Sequence, residues 1–356
     1  MKQKNFMGLG ALTAIVIGVA VALTAHHSSQ QADLGGGTVF ADLKPALGGV
    51  DEIRLSRGDG SKTTLRKSAD GWNVVERQYP ADAGRVRELA LAIANLKVIE
   101  GKTSDPANYA KIGVEKPDTP TAASTLVEVV AGKKTWPLIV GKGAEGRAVY
   151  VRKPAEAASS LAQPFFSADP DQKRWMDRLV TDVPGASIHD IAVKTGSGPA
   201  YLLTRAKRGD ADLALSPIPK GRTPVNAMSL NSQAEALAGF NFDDVRAAPA
   251  TAAPATDVAT YRTFDGQVLE LAGHREGEKA FITIAAHRDA ELAAKFPDAT
   301  PAKPAAPAAP VNQTAEKLAS RAKGVEYEIP AYKYEAIFRK PEDLLEKLPE
   351  PVKKKK

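Results

Sequence analysis

The feature that most constrains this chain is an uncharged apolar run near its start, from Phe6 to Ala25. Twenty helical residues span about 30 Å, the thickness of the hydrocarbon core of a bilayer. Lys2 and Lys4 precede the run, and the next basic residue is Lys44. This asymmetry predicts a single-pass inner-membrane protein with a cytoplasmic N-terminus and the bulk of the chain in the periplasm.

Two other interpretations of this run stay open. Ala20-Val21-Ala22 fits the small-x-small pattern of a signal-peptide cleavage site. The apolar run continues beyond this tripeptide to Ala25, so cleavage there would fall inside the hydrophobic segment. An attached anchor is therefore favoured over a cleaved signal peptide, and a buried core helix is the third alternative.

Charge is concentrated at the two ends of the chain. The 356 residues include 48 Lys and Arg against 42 Asp and Glu, which gives a net charge of +6. Lys2, Lys4 and the four lysines at 353–356 account for the whole excess. Since the rest of the chain is balanced and a nucleic-acid binder needs a basic face, we exclude that class of partner.

The residues that usually hold metals and cofactors are scarce. The chain has no cysteine, which excludes disulfides, thiolate nucleophiles and cysteine-ligated zinc or iron–sulfur clusters. The five histidines do not have the spacing of a metal motif; they are His26, His27, His189, His274 and His287. The sequence therefore predicts no metal-binding residue and no cofactor.

Two short patterns could carry chemistry, and neither predicts an active site. Residues 141–146 match G-x-G-x-x-G, but a dinucleotide site needs this motif to open a helix, and residues 147–152 alternate as a strand does. The adjacent carboxylates at 51–52 and 243–244 point to opposite faces of a strand, so neither pair forms an acid–base couple. We predict no catalytic residue, and hence not an enzyme.

The middle of the chain repeats itself. Residues 50–55 resemble residues 188–193, and each stretch is followed by turn, strand, helix and closing strands in the same order. Apolar side chains recur every second residue in the closing strands, the pattern of half-buried antiparallel strands. The predicted helices are 85–96 in the first copy and 231–239 in the second, with apolar residues at helical spacing.

These patterns predict an α+β fold, in which an N-terminal transmembrane helix precedes two similar, mainly antiparallel sheet units with packed helices, a tandem duplication. The predicted organisation is a cytoplasmic tip and transmembrane anchor at 1–25, a linker at 26–38, a first α+β unit at 39–182, a second α+β unit at 183–290, an Ala/Pro linker at 291–313, and a C-terminal docking segment with a basic tail at 314–356.

The C-terminal segment from Tyr327 to Leu348 is too rich in aromatic and apolar residues to be a free tail. Tyr327 and Ile329 share one face of a strand. We expect this strand to pair with an open sheet edge and Leu344, Leu345 and Leu348 to cover a nearby apolar surface as a short helix.

Several motifs in order resemble one family of bacterial envelope proteins that has a domain of unknown function. They are Gly71-Trp72, Tyr79 to Asp82, Tyr109 to Pro117, Leu138 to Gly141, Val149 to Arg152, Phe242 to Val245, Tyr327 to Tyr332 and Glu342 to Leu345. The resemblance implies a membrane anchor, duplicated units and genes beside gliding-motility-type ABC transporters. It implies no catalytic residues.

Two functions follow as expectations. The first is a non-catalytic periplasmic accessory or scaffold component of an ABC-type envelope transport system, with transporter subunits as partners and residues 6–25 in the inner membrane. The alternative is a periplasmic binding module for an envelope polysaccharide or peptide, which would use Trp72, Trp136 and Trp175 as an aromatic platform. An envelope hydrolase is least favoured, because convergent polar groups are missing.

Overall fold

The computed structural model describes residues 36–249, 255–297 and 314–347. The chain divides into two compact units, Met1–Met176 (unit 1) and Asp177–Lys356 (unit 2). The predicted anchor at 6–25, most of the linker at 26–38 and the basic tail lie outside the described residues.

Unit 1 is built on one nine-stranded antiparallel sheet with the order β4-β3-β2-β1-β6-β7-β8-β9-β5. The strands are β1 (Glu52–Ser56), β2 (Lys62–Ser68), β3 (Gly71–Val74), β4 (Tyr79–Pro80), β5 (Lys97–Gly101), β6 (Thr125–Ala131), β7 (Lys134–Ala144), β8 (Ala148–Arg152) and β9 (Ser159–Gln163). The helices are α1 (Leu43–Ala46), α2 (Ala83–Ala94) and α3 (Tyr109–Ile112), with 3-10 turns at Leu47–Gly49, Val75–Arg77, Pro106–Asn108 and Gln172–Arg174.

Unit 2 has an eight-stranded antiparallel sheet, β13-β12-β11-β16-β17-β18-β19-β15, and a two-stranded one, β10-β14. The strands are β10 (Leu179–Thr181), β11 (Ile188–Thr195), β12 (Tyr201–Thr204), β13 (Ala214–Ser216), β14 (Phe240–Asn241), β15 (Asp244–Ala247), β16 (Asp257–Thr263), β17 (Gln267–Glu276), β18 (Lys279–Arg288) and β19 (Val325–Ile329). The helices are α4 (Ala227–Asn231), α5 (Ala290–Lys295), α6 (Ala315–Ala322) and α7 (Ala331–Ile337), with 3-10 turns at Gly185–Ser187, Ala234–Leu237 and Pro341–Leu344.

The two large sheets share one strand order. The order β3-β2-β1-β6-β7-β8-β9-β5 in unit 1 corresponds strand for strand to β13-β12-β11-β16-β17-β18-β19-β15 in unit 2. Each unit also begins with a short extended segment. This segment pairs with the segment that follows the helical region of the same unit. In unit 1, Thr38 bridges to Lys97; in unit 2, β10 pairs with β14. The repeat therefore includes Thr38, which the sequence placed in a linker.

Every second side chain along the central strands faces the core, so these side chains together form the core beside each sheet. Ile53 of β1 pairs with Val129 of β6, and Ile191 of β11 pairs with Tyr261 of β16, and all four side chains are buried. Because successive residues of a strand face opposite sides, this pairing commits one face of each sheet to the core.

Helix α2 is the one helix of 12 residues among those described. Asp82 caps it by accepting a hydrogen bond from the backbone N–H of Arg85, and Val86, Leu89 and Ile93 lie on its buried stripe. In unit 2, the predicted counterpart at 231–239 is instead a 3-10 turn, Ala234–Leu237, after the five-residue helix α4. The stretch offers too few apolar residues at helical spacing for a longer helix.

The predicted fold class and localisation require correction. Among the described residues no helix is long and apolar enough to cross a membrane. Even α2 rises only about 18 Å, well short of the roughly 30 Å of a bilayer core. The described fold is two large antiparallel sheets with short helices, and we retain neither the transmembrane helix in the fold class nor the single-pass inner-membrane localisation with a periplasmic bulk.

The C-terminal segment completes the sheet of unit 2. Strand β19 lies between two partners: Tyr327 pairs with Ile282 of β18 on one side and with Val245 of β15 on the other. The sequence placed this strand at an open sheet edge, whereas it takes the interior position that β9 takes in unit 1. A segment drawn from beyond the Ala/Pro stretch therefore supplies a central strand, and Leu348 lies outside the described residues.

Candidate functional site

The glycine-rich motif at 141–146 belongs to the hairpin between β7 and β8. Gly146 adopts φ +71° in the turn, which favours glycine. A side chain at Gly141 would lie 2.4 Å from the carbonyl oxygen of Ile112, and one at Gly143 would lie 3.0 Å from the ring of Phe165. Turn geometry and close packing account for these glycines, and the motif does not open a helix.

The histidines occupy separate places. His189 Nδ1 lies 2.7 Å from Asp190 Oδ2, and its ring packs against the rings of Phe264 and Phe296. His287 lies at the end of β18, while His26 and His27 lie outside the described residues. Within the described ranges, no three His, Cys, Asp or Glu residues come together as a metal site would require.

The three tryptophans do not form a platform. Trp136 and Trp175 are buried, with their indole N–H groups donating to Asp42 Oδ1 and to the carbonyl of Asp169. Trp72 is half-buried on β3. Since an aromatic platform for sugars needs exposed rings that lie together, these residues belong to the packing of unit 1.

An open trough of about 670 Å³ lies on the sheet of unit 2. Its floor includes Val258, Ala272 and Thr283, which pair in one row across β16, β17 and β18. Helix α6 forms one wall through Ala319 and Ala322. The small side chains on the floor and the wall leave the trough open, so the strands can be approached closely from this side.

The trough lies on the face opposite the core. Ala259 and Leu271, the sequence neighbours of Val258 and Ala272, are buried, whereas Val258 is 43% exposed. Glu270 and Lys323 add one charge of each sign to the lining. This surface was not identified from the sequence. Small residues at alternate strand positions give the same sequence pattern on a face that another segment covers as on a face that is exposed to solvent.

A charged cluster ties four strands together beside this face. Arg246 of β15 donates to Glu326 of β19 at 2.6 Å and to Glu276 of β17 at 2.5 Å and 3.0 Å. Its guanidinium lies 3.8 Å from the ring centroid of Phe281 on β18, and His274 stacks on the same ring. Glu326 is only 2% exposed, so Arg246 supplies the charge that a buried carboxylate requires.

Hydrogen bonds within this cluster keep the carboxylate of Glu276 ionised. Hydrogen bonds from Arg246, and next from His274, lower the pKa of Glu276 from 4.5 to about 2. The same pairing raises the pKa of Arg246. The Arg246–Glu276 ion pair therefore persists as pH falls from 4.5 to about 2, an interval in which an ordinary glutamate would become protonated.

The lowered pKa of Glu276 predicts that the protein loses stability in acid. A depressed folded pKa contributes stability that is present above the unfolded value of 4.5 and lost as pH falls through about 2. Glu276→Gln should therefore lower the melting temperature at neutral pH, and its deficit relative to the parent should shrink between pH 4.5 and 2. Glu278→Gln, in the turn directly after β17, is the control; equal deficits for both variants at every pH would contradict the assignment.

These observations define the chain as a protein of two repeated antiparallel sheets with an open trough on the second. The family described as Domain of unknown function (DUF4340) matches residues 72–263, more than half of the chain, from β3 in unit 1 to β16 in unit 2. The chain belongs to this family. No curated protein and no solved structure matches the chain.

Proposed function

We propose that this protein is a non-catalytic accessory or scaffold component of an ABC-type envelope transport system and that its trough binds a polypeptide segment of a transporter subunit. The open trough of unit 2 carries the proposal. It is lined by small apolar side chains on strands and one helix, so it suits a protein segment that leaves one side exposed. The resemblance to envelope proteins encoded beside ABC transporters supports the choice of partner.

The position of the trough on paired strands also supports a scaffold role. Its floor lies on central strands of the sheet, and the Arg246 cluster joins β15, β17 and β19 beside it. A binding surface on ordered strands loses little conformational entropy when a partner docks. The alternative, an aromatic binding module for an envelope polysaccharide or peptide, has less support, because Trp136 and Trp175 are buried.

The proposal is tested with the full-length, affinity-tagged chain cross-linked in the producing cells and then purified. We expect ABC transporter subunits to be recovered. Val258→Glu should reduce their recovery at least about tenfold, since an apolar side chain buried in an interface contributes about 1.5 kcal/mol or more. Cross-strand Lys194 can pair with the new carboxylate, so the fold should tolerate the change.

Ile218→Glu provides the matched control. Ile218 is 48% exposed, close to the 43% of Val258, and lies outside the trough. Recovery with this variant should equal that of the parent. The proposal fails if no transporter subunit accompanies the parent chain, or if both variants reduce recovery to the same extent.

A further inference from the structure

Equivalent positions of the two sheets can be read from their registers. Aligning residues 50–55 with 188–193 makes Ser56 equivalent to Lys194. Ser56 pairs with Leu126 of β6, and Lys194 pairs with Val258 of β16. Leu126 and Val258 therefore occupy the same place in the two repeats.

The registers extend this equivalence across the next two strands. In unit 1 one cross-strand row contains Leu126, Ile139 and Arg152. In unit 2 the equivalent row contains Val258, Ala272 and Thr283. The second row forms the floor of the trough, so the trough occupies a defined position of the repeat.

In unit 1 this position is covered by the chain itself. Tyr109 and Val114 pack as a buried cluster with Ile139, and Ile112 and Leu126 lie against it. These residues come from helix α3 and the residues after it, which we call the plug (Tyr109–Val114). The plug belongs to the connection between β5 and β6.

Polar contacts fix the plug on the row. The guanidinium of Arg152 lies 4.5 Å from the ring centroid of Tyr109, and its Nε donates to the carbonyl of Val114 at 2.9 Å. Gly113 ends the helical turn at φ +69°, and the N–H of Val114 donates to the carbonyl of Tyr109 at 3.0 Å. The plug is thus one helical turn, closed by a left-handed glycine, that presents an aromatic and two aliphatic side chains to the sheet.

The floor of unit 2 is smaller at every position of the row. Valine replaces leucine, alanine replaces isoleucine and threonine replaces arginine. Val258 remains 43% exposed, whereas Leu126 and Ile139 are packed beneath the plug. The same seat is therefore present in both repeats: the chain's own plug covers it in unit 1, and within the described ranges no such plug covers Val258 in unit 2.

We infer that the trough of unit 2 is a plug seat for a partner protein, and that its occupant is a single helical turn with an aromatic residue and aliphatic residues three and five positions later. This spacing is that of Tyr109, Ile112 and Val114 in the chain's own plug. The inference rests on the proposed function in that it describes which segment of the partner binds the trough.

The test uses the full-length chain and a synthetic, fluorescently labelled peptide of residues 105–117, the chain's own plug. Fluorescence anisotropy should show saturable binding. Val258→Glu in the protein should weaken binding at least tenfold, and so should Tyr109→Ala in the peptide. Ile218→Glu in the protein should leave binding unchanged. Circular dichroism of each protein variant verifies that its fold is intact.

Three results would overturn the inference: no binding to the folded parent, equal binding by the Tyr109→Ala peptide, or binding that Val258→Glu leaves unchanged. The last would mean that the peptide exchanges with the covered seat of unit 1. If transporter subunits still accompany the parent chain and depend on Val258 in any of these cases, the proposed function stands and only the plug-like occupant is wrong.

Discussion

A chain that ends at Pro310 is expected to lose the folded structure of unit 2. The truncation removes α6, β19 and α7, and with β19 it removes the strand between β18 and β15. Eight large buried side chains are lost: Leu318, Tyr327, Ile329, Tyr334, Ile337, Phe338, Leu344 and Leu345. At roughly 1.5–3 kcal/mol each, their burial contributes about 10 kcal/mol or more. This is comparable to the whole stability of a domain, roughly 5–15 kcal/mol.

Hydrogen exchange read strand by strand measures this effect. Amides of β16, β17 and β18 should lose protection in the truncated chain, while those of β6 and β7 in unit 1 keep it. A chain that ends at residue 347 is the control and should match the parent. Retained protection of β16 to β18 after truncation at Pro310 would show that β19 does not complete the sheet.

The second large effect is expected at Gly273, where the C-terminal segment packs on the sheet. A Cβ placed on Gly273 would lie 2.5 Å from Cε2 of Phe338 and 2.7 Å from Cε2 of Tyr334. Gly273→Val should therefore force both rings away and lower the free energy of unfolding by about 2–3 kcal/mol. For a unit of this size that corresponds to a fall in melting temperature of about 4–12 °C.

Ala272→Val separates this clash from a general effect of valine in β17. Ala272 is the adjacent residue, and its side chain lines the open trough instead of the packed face. This variant should stay within about 0.5 kcal/mol of the parent in urea or thermal unfolding. If both variants are equally destabilised, the rings of Tyr334 and Phe338 do not pack on Gly273.

Much of the sheet structure could be predicted from local patterns. Alternation in residues 50–55 and 188–193 identified the first strand of each repeat, because a half-buried strand needs apolar residues at every second position. The aromatic and apolar content of 327–338 showed that this segment packs onto the fold. Its interior position beside β15 could not be predicted, since strand order depends on pairings between residues distant in sequence.

The candidate site could not be predicted for a related reason. Ala272 and Thr283 differ little from half-buried strand residues, and only the comparison with Ile139 and Arg152 shows which part of the repeat is uncovered. The plug was likewise missed, because Tyr109 contacts strands from a connection that the sequence leaves irregular. The membrane helix was predicted from the length of the apolar run at 6–25, and these residues lie outside the described ones.

Site-specific photo-cross-linking can show whether the trough of unit 2 binds a transporter subunit. A photoreactive amino acid at Ala285, which is exposed and lines the trough, is compared with one at Met228, which is 82% exposed and lies outside it. In the full-length chain in its own cells, we expect Ala285 to cross-link to an ABC transporter subunit and Met228 not to do so. Cross-links to the same subunit from both positions, or from Ala285 only to proteins unrelated to transport, would contradict this expectation.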